Sequence, residues 1–316
     1  MVKCLHQIFA KIQVMASQFV VPFACIFCVA ASATAQAAGC TDDASATATS
    51  PCQTMDQFHF SLAMGAGFRS NPLYGGRNMP LWLMPDLAYY GQHWFFDNGT
   101  LGYSWALSDA LTLSLVSRLN EEQGYFRRAS LSNVFSAQKI AEDGPVQRND
   151  PSIYVDTVEI GQVNKRPWAL DGGLQLDWQK AQWQVKANWW HDISNEYQGS
   201  HAKITVAYHV SHRSGDWGFS SALAWKSAQL LDTYYGISAD DGGNPDVASA
   251  GFQPEVGVHW SYALNEHWAL LSLYRYRWLN IDLQNSQEPE VATQQSPLLA
   301  EAFVRSWFIG VSYRFY

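Results

Sequence analysis

Hydrophobic and polar residues alternate with period two through most of this chain. Phe303, Trp307, Ile309, Val311, Tyr313 and Phe315 fall on one face of an extended segment, and Ser306, Gly310, Ser312 and Arg314 on the other. Such a pattern is a strand with one greasy and one polar side. Leu170, Leu174, Leu176 and Trp178 oppose Asp171, Gln175 and Asp177; Trp183, Val185, Ala187 and Trp189 oppose Gln184, Lys186 and Asn188. Ile204, Val206, Tyr208 and Val210 oppose Lys203, Thr205 and His209, and Val256, Val258 and Trp260 oppose Glu255 and His259. Leu270, Tyr274, Tyr276 and Trp278 oppose Arg275 and Arg277, where Leu271 and Leu273 blur the polar face. The alternation predicts strands near 58–68, 79–90, 93–97, 99–106, 110–119, 170–179, 182–193, 201–213, 216–229, 252–264, 267–281 and 303–316.

An aromatic face suits lipid and a charged face suits a lumen. A one-residue slip of register would turn every charge outward, at about 2–4 kcal/mol for each Arg or Lys at the bilayer midplane. The connections alternate too. Leu107-Ser108-Asp109, Lys180-Ala181, Arg213-Ser214-Gly215-Asp216 and Asn265-Glu266 are tight, whereas 120–169, 230–251 and 282–302 are long. Short periplasmic turns and long outer loops are the habit of bacterial outer-membrane barrels, and both termini then lie in the periplasm. Trp105, Trp178, Trp183, Trp217, Trp260 and Trp268 sit near the tight turns, and Trp168, Trp190, Trp225 and Trp278 near the other strand ends. Two interfacial aromatic belts are expected. The fold expected is therefore all-β: a transmembrane antiparallel up-and-down β-barrel of about 12 strands over 58–316. Ten is the alternative if the short hairpin 93–106 stays out of the wall.

Composition adds a compartment. Charged residues make up 15% and aromatics 14%, against about 25% charged in an average soluble domain. The one long apolar run, Phe19 to Ala31, follows Lys3 and Lys11 and precedes Ala35-Gln36-Ala37. Residues 1–37 are read as a secretory signal peptide and 38–57 as a Ser/Thr/Ala-rich periplasmic tail. No later stretch is long and apolar enough for a spanning helix, so a membrane-embedded mature chain has to be a barrel. Losing Lys3 and Lys11 takes the formal charge from −8 to −10. That charge excludes nucleic acid as a partner. Cys4, Cys25 and Cys28 leave with the signal; Cys40 and Cys52 remain as a possible disulfide, the alternative being acylation of Cys40.

Catalytic and metal signatures are missing. There is no Gly-x-Ser-x-Gly, no His-Glu-x-x-His and, beyond the signal, no pair of cysteines at metal spacing. His209 and His212 point to opposite faces, and His201 and His209, on one face, are roughly 26 Å apart along a strand. No metal, cofactor or catalytic residues are assigned. The candidate lumen set is Asp171, Asp177, Lys186, Lys203, Glu255, Arg275, Arg277 and Arg314. In a barrel this narrow, such mixed charges suit an ion-paired plug better than an open pore.

Five segments, in order along the chain, carry a family resemblance. They are Gly91-Gln92-His93-Trp94-Phe95-Phe96-Asp97-Asn98-Gly99, Leu231-Asp232-Thr233-Tyr234-Tyr235-Gly236-Ile237-Ser238, Leu264-Asn265-Glu266-His267-Trp268, Ser296-Pro297-Leu298 and Gly310-Val311-Ser312-Tyr313-Arg314-Phe315. Together they resemble the MltA-interacting protein (MipA/OmpV) family of outer-membrane proteins. The resemblance implies a non-catalytic scaffold that holds a lytic transglycosylase to a bifunctional penicillin-binding protein. Porin-like and adhesive or stress-protective members make a narrow channel and a surface adhesin the alternatives. The long 120–169 segment and the extra Tyr316 depart from the family pattern.

Overall fold

The computed structural model describes residues 56–126, 158–161, 163–237, 241, 246–285 and 294–315. Their strands are β1 (Phe58–Arg69), β2 (Met79–Pro80), β3 (Leu83–Tyr90), β4 (Trp94–Asp97), β5 (Thr100–Ser108), β6 (Leu111–Leu119), β7 (Leu170–Lys180), β8 (Trp183–Asp192), β9 (Ser200–His212) and β10 (Gly215–Lys226). After a helix α1 (Ala228–Tyr235) come β11 (Asp246–Ala248), β12 (Gly251–Ala263), β13 (Trp268–Trp278), β14 (Asp282–Asn285), β15 (Gln294–Gln295) and β16 (Phe303–Arg314). Each wall strand pairs antiparallel with the next, and β16 returns to β1, from Ser61↔Arg314 to Arg69↔Ser306. The result is a closed barrel of 12 strands with no free edge.

Two irregularities keep the count at twelve. β2 and β3 are one wall strand opposite β1, with the register stepping from Phe68↔Pro80 to Met64↔Leu83. β1 thus carries one extra residue, a bulge between Gly65 and Gly67 that bends the wall there. The short hairpin is also in the wall: β4 has only four residues, yet pairs with β3 on one side and β5 on the other. It turns early because Asn98 (φ 46°) and Gly99 (φ 91°) form a two-residue left-handed turn. The Asn98 side chain then replaces the missing strand: its Oδ1 accepts from Leu87 N at 3.0 Å and its Nδ2 donates to Asp86 Oδ1 at 2.7 Å.

Large apolar side chains cover the outside. Leu115 (53% exposed), Ile204 (55%) and Ile309 (57%) stand out from the wall, as a lipid-facing surface requires. One tryptophan departs from the belt reading: Trp190 is 3% exposed and faces inward with the Arg118 guanidinium 4.5 Å from its ring centre. Strand alternation forces this, since Trp189 next to it takes the outward position at 48% exposure.

At one end the strands are joined by tight turns; at the other, apart from the short turn at Asn98-Gly99, the connections are longer and fold inward together. Leu231, Tyr234, Tyr235, Leu283 and Leu298, all 0% exposed, form a small apolar core with Leu73, Tyr125, Tyr197 and Leu279. Helix α1 anchors it. Ser227 caps its start, with Oγ accepting from Leu230 N, and Leu230, Leu231, Tyr234 and Tyr235 share its buried side. A three-stranded sheet of β11, β14 and β15 backs the helix connection, and a 3-10 turn, Glu122–Phe126, lies beneath. Described parts of 120–169, 230–251 and 282–302 are thus a packed cap; the remainder of those segments lies outside the described residues.

Candidate functional site: a capped lumen

The inward faces of the strands bring the sequence-derived lumen residues into separate groups. On β12, Glu255 sits among three cations: Lys203 Nζ donates to its Oε1 at 3.0 Å, Arg277 Nε to its Oε2 at 2.7 Å, and Arg275 Nε lies 3.5 Å from Oε1. Nearer the tight turns, Asp177 faces Lys186 directly across β7 and β8, 3.6 Å apart, and takes a hydrogen bond from Gln175 Nε2 at 2.6 Å. Asp171 is fully buried near the cap, where Tyr197 Oη (2.5 Å), Asn120 Nδ2 (2.8 Å) and His201 Nε2 (2.9 Å) surround it. Arg314 stands apart, exposed at the tight-turn end of β16. Cys40 and Cys52 lie outside the described residues.

Sequence reasoning missed the groups that lock the cap to the wall. Lys226, the last residue of β10, donates to Glu122 Oε1 at 2.5 Å, and Tyr235 Oη donates to Glu122 Oε2 at 2.6 Å. Burial by itself would raise the Glu122 carboxyl; the Lys226 charge and the hydrogen bonds from Lys226 and Tyr235 outweigh it and hold the carboxyl below its ordinary value. Burial and then the Glu122 charge push the Tyr235 phenol well up. Arg166 reaches Asp241 at 3.3 Å and donates to Gly236 O at 2.8 Å. Arg69 donates to Tyr125 Oη at 2.6 Å. Each pair spans tens of residues in sequence. The readable signal was the helical spacing of Leu230-Leu231 and Tyr234-Tyr235 behind Ser227.

The histidines also pair differently from their sequence neighbours. His209 and His259 flank Gly218, which pairs with both, and their ring centres are 5.6 Å apart. A Cβ on Gly218 would collide with the His259 ring, so glycine allows the two imidazoles to meet. No group of three metal-ligating side chains occurs among the described residues.

A closed antiparallel barrel with an apolar exterior, a charged lumen and one capped mouth is an outer-membrane β-barrel protein. The model of the family described as MltA-interacting protein MipA matches residues 63–315. The chain belongs to that family. Among solved structures it is similar to an outer-membrane channel from Pseudomonas putida F1, at 7% identity over 84% of this chain and 97% of that one, with TM-score 0.37. It is also similar to OprG from Pseudomonas aeruginosa (8%; 82% and 93%; TM-score 0.21) and to the outer-membrane protease OmpT from Escherichia coli (9%; 83% and 98%; TM-score 0.25). No curated protein sequence matches the chain.

Proposed function

We propose that this protein is a non-catalytic outer-membrane anchor that organises a peptidoglycan hydrolase and synthase through its tight-turn end. Its family's name supports the hydrolase half, as a protein that interacts with the lytic transglycosylase MltA. The observation that carries the reading is the cap. A lumen closed by a core of 0% exposed side chains and buried ion pairs suits a static anchor better than a solute channel. In this reading residues 1–37 are removed as a signal peptide, 38–57 are a periplasmic tail, and both termini and the tight turns face the periplasm. A bifunctional penicillin-binding protein is the synthase proposed.

In-cell crosslinking of the tagged protein, with mass spectrometry of outer-membrane fractions, tests this. Co-purification of a lytic transglycosylase or a penicillin-binding protein supports the scaffold. Recovery of neither sinks it, and conductance in a planar bilayer would then favour the channel reading. Surface adhesion through 120–169 loses its motivation from 120–126 and 163–169, which turn inward to the cap.

A further inference from the structure

Ion pairing inside this barrel is one to one almost everywhere. Glu122 has Lys226, Asp177 has Lys186, Asp241 has Arg166 and Glu121 has Arg118. Glu255 is the exception, because Lys203, Arg275 and Arg277 all converge on its single carboxylate. Arg69, inward on β1 toward the cap, makes no ion pair among the described residues and uses Tyr125 instead. Mid-lumen therefore holds an excess of positive charge with spare donors. Arg275 touches Glu255 through Nε only, at 3.5 Å, and its side chain stays 58% exposed although it points into the barrel. Its cross-strand neighbours explain the space: Gly257 on one side and Ser306 on the other leave the lumen open around it.

We propose that the lumen beneath the cap is a binding site for a small anion bearing phosphate or carboxylate groups. Arg275 is its exposed contact, and Arg277 and Lys203 supply the surrounding charge. Glu255 plays the opposing role: it holds the three cations together and sets how strongly they attract a second acceptor. With the loop end capped, the ligand enters from the tight-turn end. The site is independent of the scaffold reading, since it concerns the lumen and not the rim.

The test is calorimetric titration of the full-length protein in detergent with inorganic phosphate and, separately, succinate, at constant ionic strength in chloride. Saturable binding of either anion is expected, and which one binds assigns the group. Arg275→Gln, a change at an exposed side chain, should weaken binding about tenfold, the worth of one charge-assisted hydrogen bond. Glu255→Gln should tighten it by removing the competing carboxylate. Heat-modified gel mobility shows whether each variant is folded. Absence of saturable binding by both anions, or unchanged affinity in folded Arg275→Gln, overturns the proposal.

Discussion

Glu122 and Lys226 show how much one contact can decide. Both side chains are 7% exposed, and removal of one partner strands the other's charge in a poorly solvated place. Lys226→Ala should therefore destabilise the folded barrel by about 3–5 kcal/mol, read as a lower unfolding midpoint in urea. The pH dependence has a fixed sign. The Glu122 carboxyl lies below its ordinary value of 4.5, so its contribution is complete above that pH and is lost as pH falls through the folded value. Acid should loosen the cap, seen as faster proteolysis of the loop end, and Glu122→Gln should flatten this response. Gly99 illustrates a different cost. A Cβ there meets nothing within 4 Å, but φ is +91°, so Gly99→Ala should cost about 1–2 kcal/mol through backbone strain alone.

Strands were legible because lipid outside and charge inside make period two unusually sharp. Register then follows: the outward Leu223 is 47% exposed while Ala222 and Ala224 beside it turn inward. Leu223→Arg should destabilise the barrel by about 2–4 kcal/mol and slow its assembly, measured by folding into lipid vesicles. Less legible were the places where local chemistry overrides the alternation. Nothing in periodicity announced that Asn98 would serve β3 as a substitute partner, or that the strand sought at 216–229 would end at Lys226 and become helix α1. Trp190 lies near a strand end, as a belt residue would, but its parity turns it inward and leaves Trp189 on the lipid side.

At the scale of the molecule the cap governs behaviour. Five inter-strand connections meet there, and Leu231 and Tyr234 lie at 0% exposure in the middle. Leu231→Ala with Tyr234→Ala should open the mouth while leaving the wall folded, since the cap residues make none of the pairings that close the barrel. Planar-bilayer recordings should then show larger conductance than the parent, with preference for anions set by Arg275 and Arg277. An unchanged trace would mean that the wall residues alone close the lumen.

Alternation, turn spacing and the low share of charged residues were sufficient for an all-β membrane barrel of about twelve strands, because a bilayer imposes one rule on every strand independently of the others; the choice of twelve over ten came with the pairing of β4 to both its neighbours. Local pattern carries such a rule in full. The cap, the three-to-one cluster at Glu255 and the meeting of His209 with His259 belong to the tertiary structure. Each joins residues on different strands or loops, and which of them meet is set by closure of the wall and by the folding of long connections into its mouth, where no repeating constraint reaches.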